Sequence, residues 1–396
     1  MSSESREKAE KENVKREDGT KEEGEKERGK GGKKTIRRPG LRNVVLAETD
    51  LNALSDGNVW YKGYRLKELA EKSSYEEFTF LSMKSRLPAK DRYPDFRESI
   101  RTRRNLSPET RGMVDGMEDG SPLELLRTVA SSLPVYDEST APDVCPCRWC
   151  HSRDEGKSIV AKGTTSVARH HRIRDGKAPV SPINKLSTPG NYLYMLTGDT
   201  PSYRESTALE KTLILNAVRF PDERIGAASI VTRTAASTKT DLTSCITASL
   251  AAVPDRKPDS LSAVELLDTV IEGSEEDAVD GIKDVPGFSI SGIRDPRTDQ
   301  LEEIARDLGG DEYLQAADEI AKYLSSDGSK LEATSALYRG VIYRELPIPD
   351  ELFLVTTVFG RIQSWFAQVL TQYDSDTLIR PRACYTGRKG RVYTGK

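Results

Sequence analysis

From Tyr64 to the C-terminus, apolar side chains recur three or four residues apart, and Gly, Pro and Asp interrupt the pattern at short intervals. No alternating stretch is long enough to furnish a sheet, and no internal repeat appears. The chain is therefore restricted to a mainly α fold. Tyr75, Phe78 and Leu81 share one helical face, as do Tyr93, Phe96 and Ile100. Ser107-Pro108 and Ser121-Pro122 each place a capping hydroxyl before a proline at the first helical position. The second opens a helix over residues 123–133, with Leu126, Val129 and Leu133 as its apolar stripe. Further helices are predicted over residues 192–196, 207–218, 237–253, 261–271, 299–308, 311–324 and 352–372. The longest apolar run, Leu352 to Ile362, is broken by Arg361. It is too short to span a bilayer and reads as a buried helix.

Upstream, Asn43-Val44-Val45-Leu46-Ala47 predicts a short strand. Ser55-Asp56-Gly57-Asn58 predicts a turn leading into Val59-Trp60-Tyr61, a small N-terminal hairpin. Residues 1–40 carry 13 Lys/Arg and 10 Asp/Glu but only Met1, Ala9, Val14 and Ile36 as apolar side chains, the composition of a disordered charged tail. The remaining 47 basic and 53 acidic residues argue against a nucleic-acid binder. An odd count of five cysteines and the lack of an N-terminal apolar segment fit a reducing cytoplasm. Cys245 and Cys384 fall in segments that read as core or near-core.

Histidine is the scarce resource. Its three positions are 151, 170 and 171, so no imidazole exists from Arg172 to Lys396. His170 and His171 lie beside Arg169, Arg172 and Arg174 and predict a solvated helix end. Cys145, Cys147, Cys150 and His151 offer four soft ligands within seven residues, with the Cys147/Cys150 spacing of a zinc knuckle. No second knuckle follows, so ordinary loop thiols are the plainer expectation and a metal-dependent interaction module the other. Gly-rich phosphate loops are absent, and no cofactor is implied.

Several strings, in shared order, resemble the citrate synthase family. Asp56-Gly57-Asn58-Val59-Trp60-Tyr61-Lys62-Gly63-Tyr64-Arg65-Leu66 is similar to its "IDG…L-x-YRGY-x-I" entry. Ala161-Lys162, Arg172-Ile173-Arg174-Asp175-Gly176-Lys177 and Asn191-Tyr192-Leu193-Tyr194-Met195-Leu196-Thr197-Gly198 resemble its "AKLPT…R-x-R-x-G…N-F-L-Y-M-L-T-G" run. Gly340-Val341-Ile342-Tyr343-Arg344, Ile348-Pro349 and the stretch from Leu378 through Arg380 to Gly387 resemble its C-terminal third. The resemblance implies a citrate synthase-like fold with a large and a small helical domain. The large domain would take residues 41–221 and 331–396, and the small one 222–330. It also implies a homodimer condensing acetyl-CoA with oxaloacetate, through two histidines and an aspartate, with arginines binding the carboxylates.

That condensation needs a carboxylate to remove the methyl proton and donors to stabilise the enol and polarise the ketone. Ala336 falls at the aspartate of the family's "NVDFYSG", against Thr334-Ser335-Ala336-Leu337-Tyr338-Arg339-Gly340. Pro258 falls at the histidine of "GPLHGGAN", and Ile290 at that of "GFGHRVY…DPR". A further family histidine has no counterpart in residues 215–229, which align only with a gap. The resemblance implies that the family also reads CoA around these strings, so acyl-CoA is a doubtful partner. Asp255, Asp259, Asp280 and Asp284 are the nearby acids, none at the family's position. The carboxylate-binding arginines do have counterparts, Arg297 in Asp295-Pro296-Arg297, Arg361 in Val358-Phe359-Gly360-Arg361 and Arg380 in Ile379-Arg380-Pro381. The expectation is a catalytically inactive relative that binds citrate or an oxaloacetate-like carboxylate. It would act as a regulatory protein or as the partner of an active citrate synthase, with no nucleic-acid or membrane role. The alternative is an active, divergent citrate or 2-methylcitrate synthase.

Overall fold

The computed structural model describes residues 44–137, 148–218, 226–273, 285–289, 294–324 and 332–394, together with two short strands, β1 (Glu27–Arg28) and β2 (Lys34–Thr35), which pair antiparallel. The side chains of residues 148–151 lie outside this description, as does most of the predicted tail. Met1–Glu48 and Thr49–Lys396 form separate compact units.

The second unit opens with β3 (Asn52–Ser55), β4 (Asn58–Tyr61) and β5 (Tyr64–Arg65) in one antiparallel sheet, Asn52 opposite Tyr61 and Trp60 opposite Arg65. The predicted turn is there. Asp56 and Gly57 both have positive φ, 52° and 70°, which matches the twist of a two-residue hairpin loop. The strand predicted over residues 43–47 is not. Residues 44–49 carry no regular structure and Val45 is 85% exposed, so its side chain has no face to pack against.

Fifteen helices follow among the described residues: α1 (Leu66–Lys72), α2 (Tyr75–Lys84), α3 (Tyr93–Arg101), α4 (Pro108–Asp115), α5 (Pro122–Tyr136), α6 (Arg148–Arg174), α7 (Thr188–Thr197), α8 (Tyr203–Asn216), α9 (Ala227–Ser237), α10 (Leu242–Ala251), α11 (Asp259–Glu272), α12 (Thr298–Leu308), α13 (Asp311–Leu324), α14 (Ser335–Glu345) and α15 (Phe353–Asp374). Local sequence explains many of the starts. Ser74 with Glu77, Ser121 with Glu124 and Ser202 with Glu205 form reciprocal capping boxes, and Ser107 accepts from the Thr110 amide. The helix predicted over 237–253 is two helices. α9 stops at Ser237, Lys239 turns left-handed at φ 63°, and the Asp241 carboxylate accepts from the Ser244 amide to start α10.

α15 is the core helix, with Val355, Val369 and Phe366 fully buried; α8 packs along it. No helix of the described residues is long and apolar enough to cross a membrane. Two glycines set close crossings. A methyl group on Gly360 would meet the Leu213 carbonyl of α8, and one on Gly340 the Ser260 carbonyl of α11. A two-residue pair, β6 (Phe288–Ser289) with β7 (Glu332–Ala333), lets the Thr334 amide donate to the Gly287 carbonyl at 2.8 Å and holds the start of α14 in place.

Two further expectations are corrected. His170 is fully buried inside α6, Nε2 within 2.9 Å of the Met117 carbonyl, because α4 and α5 cover this part of α6; His171 is half-buried and the exposed end of the helix comes only at Arg174. Cys245 is buried as predicted, but Cys384 is exposed on the extended chain after α15.

Candidate functional site

The candidate site lies where α8 ends, α14 begins and the Asp295-Pro296-Arg297 loop runs between β6 and α12. Asp295 folds the loop on itself. Its carboxylate accepts from the Arg297 amide at 3.0 Å, from Arg297 Nε at 2.9 Å and from Nη2 at 2.6 Å. Arg297 Nη2 also donates to Ser335 Oγ at 3.1 Å, and Nη1 donates to the Leu215 carbonyl at 3.1 Å and to the Val218 carbonyl. Leu215 lies in the last turn of α8 and Val218 just past its C-cap, where carbonyls lack intrahelical donors, so the guanidinium caps the helix end and suits its negative pole. All five N–H donors of Arg297 thus have acceptors within the chain. Burial alone would raise the Asp295 carboxyl. The hydrogen bonds and charge of Arg297 outweigh it and hold the group below the usual carboxylate range.

A second guanidinium stands beside this pair. Arg339, on the second turn of α14, is 8% exposed and donates through Nη1 to Asn216 Oδ1 at 3.3 Å. Its Nε is buried without a hydrogen-bond partner. Burial pushes its guanidinium below its ordinary value; Tyr343 acts the other way, and the charge of Arg297 acts with burial. Asn216 continues the network, since its Nδ2 donates to the buried Tyr343 hydroxyl at 3.1 Å, which lies 3.4 Å from Thr357 Oγ1. Arg361 is one helical turn beyond Thr357 on α15, and its charge is felt at the Tyr343 hydroxyl, whose own proton burial holds on more tightly. The structure therefore joins Arg297 and Arg339 to one polar network around Asn216 and Ser335, and the charge of Arg361 reaches the Tyr343 hydroxyl at its edge.

The other predicted positions are dispersed. Arg380 is exposed on the extended segment after α15, where the neighbouring Ile379 amide donates to Ser237 Oγ. Pro258 is the half-buried N-cap of α11 and Ala336 the half-buried second residue of α14; these two helices pack on each other through Ser260 and Gly340. Ile290 lies outside the described residues, as do Cys145, Cys147, Asp280, Asp284 and the side chains of Cys150 and His151. Among the described residues no group of His, Cys, Asp and Glu is arranged to hold a metal ion. Asp255 and Asp259 are exposed, the former bonded to Ser121 Oγ. His170 and His171 partner Met117 and Glu351 and contact none of the site arginines.

Of two cavities among the described residues, the smaller adjoins this site. One of about 410 Å³ opens beside the loop and is lined by Arg65, Lys67, Arg294 and Arg297 together with Asn58 and Asp299. The larger, about 480 Å³, is formed by α2, α3 and α6 and touches none of the site arginines. Sequence reasoning missed Arg339, Asn216 and Tyr343. The signal for Arg339 was in plain view, a long cation where the resembling string has serine.

Comparison with known proteins fits this geometry. Residues 40–382 match the family described as "Citrate synthase, C-terminal domain". The chain belongs to the citrate synthase family. It is 28% identical over 376 residues to citrate synthase of Haloferax volcanii, covering 90% of this chain and 97% of that one. With citrate synthase 2 of Bacillus subtilis the identity is 29% over 367 residues, 88% of this chain and 95% of the relative. The fold superposes on the crystal structure of citrate synthase from Pyrobaculum aerophilum with TM-score 0.78 and 26% identity, over 94% and 97% of the two chains. The Thermotoga maritima enzyme gives TM-score 0.74 at 24% identity, over 91% and 98%. The mainly helical, citrate synthase-like fold expected from the sequence is the fold observed.

Proposed function

We propose that this member of the citrate synthase family binds a citrate-like carboxylate but does not catalyse the condensation of an acyl-CoA with oxaloacetate. One observation carries the reading: no histidine occurs from Arg172 to Lys396. The correspondence drawn from the sequence supports it, with Pro258, Ile290 and Ala336 falling where the family's strings have His, His and Asp. A methyl group cannot accept a proton, and loss of a general base alone costs roughly 10²–10⁴ in rate. The two described histidines are committed to Met117 and Glu351 and supply no substitute.

The binding half rests on the arginines. Arg361 lies on α15 one turn beyond Thr357, and Arg297 serves as the strut that joins the loop to α8. Arg380, exposed on the C-terminal segment, corresponds to the arginine that the resembling family supplies across its dimer interface and would complete the site of a second subunit. That subunit is another copy of this chain or an active citrate synthase. Relatives at similar identity include one named citrate/2-methylcitrate synthase, from Bacillus subtilis, so both condensations need testing. A thiol-release assay with acetyl- and propionyl-CoA plus oxaloacetate should show background turnover only, while citrate should raise the melting temperature of the wild type and not of Arg361→Ala. Turnover at an ordinary enzymatic rate defeats the first half of the proposal. Absence of any thermal shift with dicarboxylates or tricarboxylates defeats the second.

A further inference from the structure

We infer that Arg339 is the buried cation that receives the third carboxylate of a tricarboxylate, making this site selective for tricarboxylates over dicarboxylates. The inference rests on the carboxylate-binding reading above and adds a residue and a selectivity to it.

Among the cluster's guanidiniums, Arg297 is already neutralised. Asp295 lies against it with two close contacts, and every donor is filled. Arg339 differs in each respect. It is as buried as the pair beside it, it makes no ion pair with any described residue, and its one described acceptor is the neutral Asn216 amide. The acids whose charge reaches it are Asp259, which is exposed, and Asp295, which Arg297 already holds. Withdrawing a guanidinium from water without a carboxylate partner is strongly unfavourable, and an anion from outside the chain is the group that offsets it. Its Nε is buried and without a hydrogen-bond partner, a donor still to be filled.

Position selects the class of anion. Arg339 follows Ala336 by three residues on α14, so the two share one helical face. On the correspondence drawn from the sequence, Ala336 stands where the family's aspartate faces the acetyl methyl carbon. In the condensation product that carbon bears the third carboxylate. An aspartate on this face repels such a group; here the face carries a cation instead. A dicarboxylate lacks the arm that reaches it.

Isothermal titration with citrate and with malate tests this on the full chain. The wild type should bind citrate roughly ten- to hundred-fold more tightly than malate, the range of a charge-assisted hydrogen bond. Arg339→Ser, which installs the residue of the resembling string, should bind malate as before and lose the preference; Arg339→Lys should keep part of it. Circular dichroism melts of both variants establish that they fold, and Arg339→Met replaces Arg339→Ser if the latter does not. Wild type that binds both acids equally, or an Arg339→Ser variant that still prefers citrate, overturns the inference and leaves carboxylate binding standing. Wild type that binds neither acid overturns both.

Discussion

Asp295→Ala isolates the buried ion pair on which the loop depends. The carboxylate receives two side-chain donors of Arg297 and its own turn's amide, all within 3.0 Å, and both residues are less than one-tenth exposed. Removing it leaves a buried cation with neutral partners only, a change that costs about 3–5 kcal/mol. Urea unfolding followed by far-UV circular dichroism at neutral pH reads the loss directly. Because the folded carboxyl is held below its ordinary range, the stabilisation is complete above the unfolded value near about 4 and fades as pH falls through the lower folded value. The wild type should therefore lose this increment under acid, and the alanine variant should show no such loss. The volume-matched double variant Asp295→Leu/Arg297→Met should recover most of the deficit, since neither charge is then stranded. A single-variant cost under about 1 kcal/mol would place the pair among weak surface bridges and refute the strut assigned to Arg297.

Three further outcomes are expected from other parts of the fold. Glu155, buried against the start of α10, is pushed up to about 7 mainly by burial and then by Asp241. A carboxyl raised in the folded state stabilises below its unfolded value and ceases to do so as pH rises through about 7, so Glu155→Gln should raise the melting temperature at alkaline pH and leave it nearly unchanged in mild acid. Gly340→Ala drives a methyl group into the Ser260 carbonyl and should cost about 1–3 kcal/mol or more in urea unfolding. Gly112→Ala, in α4 with nothing within 4 Å of the new methyl, should instead stabilise by about 0.5–1 kcal/mol.

The sequence showed most of the helices because their starts are written locally. Ser121 followed by Pro122 and Glu124 is a self-contained instruction, and the structure forms it as read. The break between α9 and α10 was hidden because Thr238 to Asp241 contains neither Gly nor Pro; a lysine supplies the left-handed residue, and only the Asp241 cap betrays the new start. Residues 43–47 misled in the opposite way, since adjacent β-branched residues favour a strand only when a partner strand or a packed face exists. At the site, the arginines were legible one by one but their commitments were not. The acceptors that fill Arg297 include Leu215 and Val218, about eighty positions upstream, and no local pattern records that contact.

The same fold would tolerate the altered site proposed above. What holds α8, α11, α14 and α15 together is glycine-mediated approach at Gly340 and Gly360, the Tyr343 hydroxyl between Asn216 and Thr357, and the buried aliphatic faces; none involves Pro258 or Ala336. On the correspondence proposed above, alanine in place of an aspartate at 336, on a half-buried helix turn, would remove a charge and leave the packing of Leu337 and Val341 as it is. Arg339 is the opposite case, because a guanidinium this buried, with a neutral amide as its one described acceptor, is costly until an anion joins it. The physical consequence is measurable without any assay of turnover. Arg339→Met should be more stable than the wild type in ligand-free buffer, and citrate should narrow or reverse that difference by stabilising the wild type alone. Equal melting temperatures with and without citrate, in both proteins, would remove the energetic argument for a ligand at α14.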